Sequence, residues 1–237
     1  MHEIKLAPEL IERAKAFRGS TEHIFADIDP ARTAHIVVDL QNGFMVPGAA
    51  VEIPVAREIV PNVNRISSAV RTAGGLNVFL RYLVDPEVKR DWPIWFRKFG
   101  NAKREQEYDS TFTRGCSGFE LWSGLDVKPQ DLIVDKTRFG AFVPGSSNLH
   151  EILQRRGIDT LIVTGTATNV CCESTARDAM QMNYKIIFVA DGNAAGTDAE
   201  HNATLNNLYV LFADIITTDE LVGFLGNAKP AKLTAAE

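Results

Sequence analysis

The chain has 237 residues, and its 25 Lys and Arg are outweighed by 30 Asp and Glu, so it lacks the basic excess that binding a nucleic-acid backbone needs. An apolar content of 45% is enough for a large core. Even so, no run approaches the roughly 18 apolar residues of a membrane span, and the start, Met1-His2-Glu3-Ile4-Lys5, has no signal-like apolar stretch. Three cysteines, two of them adjacent, make a poor disulfide framework, so we expect a cytoplasmic chain with reduced thiols and neither nucleic-acid nor membrane partners.

In chain order, residues 1–30 read as a helix over Pro8–Phe17 followed by an arm. Ala34–Asp39 (AHIVVD) is the first short, β-branched segment of the kind buried on both faces. A helical pattern over Val55–Ala73 follows, stopped by Gly74-Gly75, and Asn77–Tyr82 (NVFLRY) is the second strand. Residues 85–128 then break the rhythm: no strand is evident, and Trp92, Trp95, Phe96, Phe99, Tyr108, Phe112, Phe119 and Trp122 crowd together. So long a connection either packs a small core of its own or serves as a lid over a site.

The alternation resumes with strand Asp131–Lys136, helix Ser147–Arg156 stopped by Gly157, strand Thr160–Thr164 and helix Asn169–Asn183. Strand Lys185–Ala190, helix Asp198–Phe212 and strand Asp214–Thr217 complete it, ahead of a tail after Gly226 expected to fray. Strands alternating with helices predict one three-layer α/β/α domain over residues 1–237, with a six-stranded, mainly parallel, Rossmann-like sheet and the aromatic insertion.

Ligands of open parallel sheets bind at the carboxyl ends of the strands. Three complementary groups fall there: Asp39 closes the first strand, Lys136 closes DLIVDK, and Cys171 follows TLIVT at the opening of a helix. A lone cysteine is usually a small buried hydrophobe. In a first helical turn, however, unpaired N–H groups and the helix dipole favour thiolate and can hold an oxyanion, with Thr168 and Asn169 suited to cap the turn. Cys172, about 100° further round, is expected to face the sheet, and Cys116 to be structural. Asp39 either caps a loop or accepts the thiol proton, and a buried Lys136 needs such a counter-charge. Gln41 and Asn42 either orient Asp39 or close its loop. No histidine has a ligand-spaced partner, so neither metal nor cofactor is expected.

Val38-Asp39-Leu40-Gln41-Asn42-Gly43-Phe44, Asp135-Lys136-Thr137-Arg138-Phe139-Gly140-Ala141-Phe142 and Thr168-Asn169-Val170-Cys171-Cys172-Glu173-Ser174-Thr175-Ala176-Arg177-Asp178-Ala179 resemble the three signatures of the isochorismatase-like cysteine hydrolases. The resemblance implies an Asp39–Lys136–Cys171 triad, a cis peptide at Thr166–Ala167 and an oxyanion hole from the N–H groups of Ala167 and Cys171. It also implies a homo-oligomer, dimer or tetramer. The last block is most similar to the N-carbamoylsarcosine and ureidoacrylate amidohydrolases. The metal histidines of nicotinamidases are missing from Arg81–Glu87, and the cysteine that true isochorismatases lack is present.

The expected activity is therefore hydrolysis of a C–N bond in a small amide, ureido or carbamoyl compound through a thioester-type intermediate on Cys171. Phe44, Trp92, Trp95, Phe139 and Phe142 are candidate pocket walls, and Arg81, Arg97, Arg104 and Arg138 are candidate carboxylate binders. The alternatives are an ester, ether or nitrile-like substrate for the same triad, or a redox-sensing thiol pair.

Overall fold

The computed structural model describes residues 1–228. In chain order they form α1 (Pro8–Phe17), β1 (Thr33–Val38), α2 (Asn42–Met45), α3 (Val60–Ala73), β2 (Leu76–Tyr82), α4 (Pro86–Asp91), α5 (Ala102–Phe112) and β3 (Leu132–Lys136). There follow α6 (Leu149–Arg155), β4 (Thr160–Thr166), α7 (Glu173–Gln181), β5 (Lys185–Ala194), α8 (Asp198–Tyr209), β6 (Asp214–Ile216) and α9 (Thr218–Asn227). All six expected strands are present, and every pairing is parallel, in the order β3-β2-β1-β4-β5-β6.

Successive strand residues point to opposite faces, and the core divides accordingly. Ile36, Val38, Leu161 and Val163 pack with residues of α1, α6, α7 and α8, whereas Val37 and Ile162 face α3 and α9. Burial on both faces explains the near-continuous apolar strand sequences. β1 has β2 on one side and β4 on the other, so the direction in which successive strands are added across the sheet reverses between β1 and β4. The crevice that opens at such a point, beyond the strand ends, is where this architecture binds ligands.

Some boundaries differ from the expected ones for identifiable reasons. The expected helix over Val55–Ala73 begins at Val60, after a 3-10 turn over Pro54–Arg57. Pro61 lies in its first turn, where a missing N–H breaks no helical bond. β1 ends at Val38 because Asp39 has a φ of 51°, in the left-handed region that Asp tolerates better than most residues. β5 runs on to Ala194, where Asn193 and Ala194 pair with Gly165 and Thr166. Gly165, at φ 122°, is required: a Cβ there would collide with the backbone of Val38. The helix expected to end at Phe212 ends at Tyr209, and most of the tail expected to fray lies outside the described residues.

The 85–128 segment is helical rather than strand-bearing. α4 leads to a π-helical turn at Trp95–Phe99, then to α5 and a 3-10 turn at Ser117–Phe119. Asp85 and Asn101 cap α4 and α5, accepting from the N–H groups of Val88 and Arg104. Among the described residues no helix is long and apolar enough to cross a membrane.

Candidate active site

Asp39 leaves β1, Lys136 ends β3, and Cys171 lies in a π-helical turn over Thr168–Cys172 between β4 and α7. The fold brings the three together. Lys136 Nζ is 2.7 Å from Asp39 Oδ2, and both side chains are fully buried. Cys171, 5% exposed, is near enough for the charges of both to act on its proton affinity. Beyond this ion pair no hydrogen-bond partner meets either Asp39 oxygen. Lys136 does donate to the Arg138 carbonyl at 3.1 Å.

Burial dominates the proton affinities. It raises Asp39 above the usual carboxyl range, and the opposing pull of the Lys136 charge does not overcome it. Lys136 is also raised: burial lowers it, but Asp39 and Cys171 outweigh that effect. The ammonium is thus held and the carboxylate is unusually basic. Burial pushes the Cys171 thiol up, against Lys136 and reinforced by Asp39. Desolvation thus opposes the lowering expected from helix position. Cys172 is fully buried in the main core, and burial raises it strongly too. Cys116 is partly exposed and unpaired.

The approach to Cys171 also differs in detail from the expected capped helix. Thr166–Ala167 is a cis peptide. No side chain caps the turn; the Thr168 hydroxyl lies 2.9 Å from His201 Nδ1 instead. Glu173, which the sequence reading passed over, ties the start of α7 to its surroundings. It accepts from Arg177 Nε at 2.8 Å and from the Thr204 hydroxyl of α8 at 2.5 Å.

The aromatic residues form a roof. Phe139 sits edge-on to Trp92 at 4.9 Å and to Trp95 at 5.0 Å, and Phe44 lies 4.8 Å from Phe112. The segment therefore builds a small core that includes Phe44, Tyr82, Phe96 and Phe112, and through Tyr82 this core reaches the end of β2. Phe142 corrects one expectation: its ring packs on Tyr184 at 5.6 Å and on His150 of α6, within the main core. Gln41 is fully buried, but its amide bonds the backbone of Tyr82 and Phe119 rather than Asp39. Asn42 donates to the Ser117 carbonyl.

Of the candidate arginines, Arg81 pairs with Asp135 at 2.8 Å and Arg104 contacts Glu107. Arg138 stacks over Trp92 at 5.1 Å and lines a cleft of about 480 Å3 with Trp92, Phe139, Ser174, Arg177 and Asp178. Among the described residues no group of three or more His, Cys, Asp or Glu side chains is placed to hold a metal ion. Tyr82, marked by the sequence only as the end of the second strand, stands beside Lys136 at the rim, its ring 5.2 Å from the ammonium. Its position at a strand end was the available signal.

Residues 33–220 match the isochorismatase domain family. The ureidoacrylate amidohydrolase RutB of Caulobacter vibrioides is 31% identical over 217 residues, covering 86% of this chain and 95% of that protein. A crystal structure of a cysteine hydrolase from Pseudomonas syringae pv. phaseolicola 1448A superposes with a TM-score of 0.74 at 29% identity, covering 86% of this chain and 96% of that one. N-carbamoylsarcosine amidase from Thermoplasma acidophilum gives 0.61 at 27% identity, over 79% and 97%.

Proposed function

From a chain that belongs to the isochorismatase family of hydrolases, we propose hydrolysis of a C–N bond in a small amide, ureido or carbamoyl compound, with Cys171 as nucleophile. The observation that carries this reading is the fully buried contact of a carboxylate with an ammonium at one rim of the sheet, beside a buried cysteine whose proton affinity both charges affect. The relatives named as ureidoacrylate amidohydrolase and N-carbamoylsarcosine amidase support the same bond type.

Because burial raises the proton affinity of both Cys171 and Asp39, proton transfer accompanies attack. As sulfur bonds to the acyl carbon, its proton passes to Asp39. Lys136 keeps a positive charge beside the forming negative charge, and the N–H groups of Ala167 and Cys171 hold the oxyanion. The C–N bond then breaks as Asp39 returns the proton to nitrogen, releasing ammonia or an amine and leaving a thioester or thiocarbamate. Water gives a proton to Asp39 as it attacks that carbon, and the acid departs as the proton returns to sulfur. Trp92, Trp95, Phe139 and Phe44 keep bulk water from the intermediate.

The test is an ammonia-release screen over ureido acids, carbamoyl amino acids, biuret and simple amides. Cys171→Ala is expected to lower turnover of any hit by at least ~10³-fold, while Cys172→Ala keeps most of it. Near-normal turnover by the first variant would falsify the covalent scheme. Product analysis showing cleavage of an ester or ether bond, with no amide hydrolysed, would instead keep the triad and reject the C–N substrate.

A further inference from the structure

Tyr82 is the last residue of β2 and pairs in register with Lys136. β2 lies between β1 and β3, so its end stands between the exits that carry Asp39 and Lys136. The side chain is 2% exposed, with its ring 5.4 Å from Phe112, 6.2 Å from Tyr108 and 5.2 Å from the Lys136 ammonium. Those contacts use only the ring. The hydroxyl is buried without any hydrogen-bond partner, a condition that native proteins avoid unless a ligand or function accounts for it.

The backbone of the same residue is held with unusual care. Its N–H donates to Gln41 Oε1 at 2.7 Å, and Gln41 Nε2 donates to its carbonyl at 3.1 Å. A third bond, from Gln41 Nε2 to the Phe119 carbonyl at 2.9 Å, anchors the amide to the roof segment. A fully buried glutamine thus spends its hydrogen bonds fixing the rim position whose side chain ends in an unpaired hydroxyl.

We infer that the Tyr82 hydroxyl contacts the substrate, hydrogen-bonding its N–C=O unit on the side of the departing nitrogen, and that Gln41 is its positioning residue. The inference rests on the reading under Proposed function. The side follows from strand order: Tyr82 neighbours Asp39, which returns the proton to nitrogen, whereas the Ala167 and Cys171 N–H groups follow β4 on the far side of β1. Electrostatics agree with this placement. The phenol senses Cys171 and Asp39, and burial keeps it protonated, able both to donate and to accept.

Tyr82→Phe in the full chain separates contact from packing, because it removes one atom and leaves the ring. On the substrate identified by the ammonia screen, KM is expected to rise about 3- to 12-fold, the range for one neutral hydrogen bond. The accompanying kcat should stay within about threefold, and the melting temperature should not fall. An unchanged KM overturns the inference. If the wild-type chain hydrolyses nothing in the screen, the proposed function fails, and alkylation of Cys171 decides the hydroxyl's role. Iodoacetamide carries a carboxamide and methyl methanethiosulfonate does not. A drop of about threefold or more in their rate ratio in Tyr82→Phe supports the contact; an unchanged ratio rejects it.

Discussion

At the rim of the sheet, Asp39, Tyr82 and Lys136 owe their positions to backbone: each ends or follows a strand, and strand register sets which neighbours meet. The 85–128 segment reaches the same place by another route. Its short helices pair with no strand of the sheet, and Trp92, Trp95, Tyr108 and Phe112 are located by ring packing against Phe139, Phe44 and Tyr82. Apart from the antiparallel bridge of Gln41 with Leu121 and a bond from the Val84 N–H to the Phe112 carbonyl, the two regions touch chiefly through side chains. One region places its polar side chains at a spacing dictated by a hydrogen-bonded ladder. The other is held by packing, which tolerates many sequences so long as the volume is filled.

The contrast breaks most sharply at Lys136. Lys136→Met removes the charge beside Asp39, and activity should fall by about 10²- to 10³-fold, the usual scale for losing one preorganised electrostatic partner. Stability should fall as well, by about 3–5 kcal/mol, since an uncompensated carboxylate is left buried. The double variant Asp39→Asn with Lys136→Met should regain much of that stability and none of the activity. Denaturant melts of the four members of this cycle check it; additive losses would mean that the pair is not coupled.

On the roof side the effect should be comparable in stability and milder in chemistry. Phe112 is fully buried between Phe44, Tyr82 and Tyr108. Phe112→Ala is expected to cost about 3–5 kcal/mol through lost burial and a residual cavity. Alkylation of Cys171 by iodoacetamide should become faster as the cover loosens. An unchanged alkylation rate beside a clear stability loss would show that the roof's small core and its closure of the site are separable.

The smallest effect concerns pH and belongs to the sheet. His35 on β1 is held down to about 3, chiefly by burial. Its ring nitrogens lie 2.7 Å from the Thr164 hydroxyl and 3.1 Å from that of Ser67. The unfolded chain binds a proton near pH 6.5 and the folded one does not. Its contribution to stability is therefore fully present above about pH 6.5 and declines as pH falls towards 3, by roughly 1.4 kcal/mol per pH unit. Melting temperatures of the wild type and His35→Asn between pH 7 and pH 4 test this, the variant giving the shallower slope. Parallel slopes would place acid sensitivity elsewhere.

Much of the sheet was legible because its elements repeat a simple rule. Segments such as AHIVVD and TLIVT are apolar on both faces and bounded by turn residues, so existence and order could be read even where ends were missed by one to five residues. The placement of Asp39, Lys136 and Cys171 was legible for a related reason: polar side chains at or just beyond strand ends stand out against apolar runs. Phe142 was misread because an aromatic residue in a motif carries no mark of whether it faces a pocket or Tyr184. Tyr82 was overlooked because the significance of an unpaired hydroxyl exists only once its surroundings are known.

By itself, then, the order of residues determined an alternating α/β chain, a parallel sheet and three reactive groups at strand ends, because secondary-structure periodicity and strand polarity are local properties written along the backbone. Only the tertiary structure decided that burial raises the Cys171 thiol, that Gln41 bonds Tyr82 rather than Asp39, and that the aromatic segment packs against Tyr82 at the end of β2. Those facts depend on desolvation and on contacts between residues tens of positions apart, and neither is encoded in any single stretch of chain.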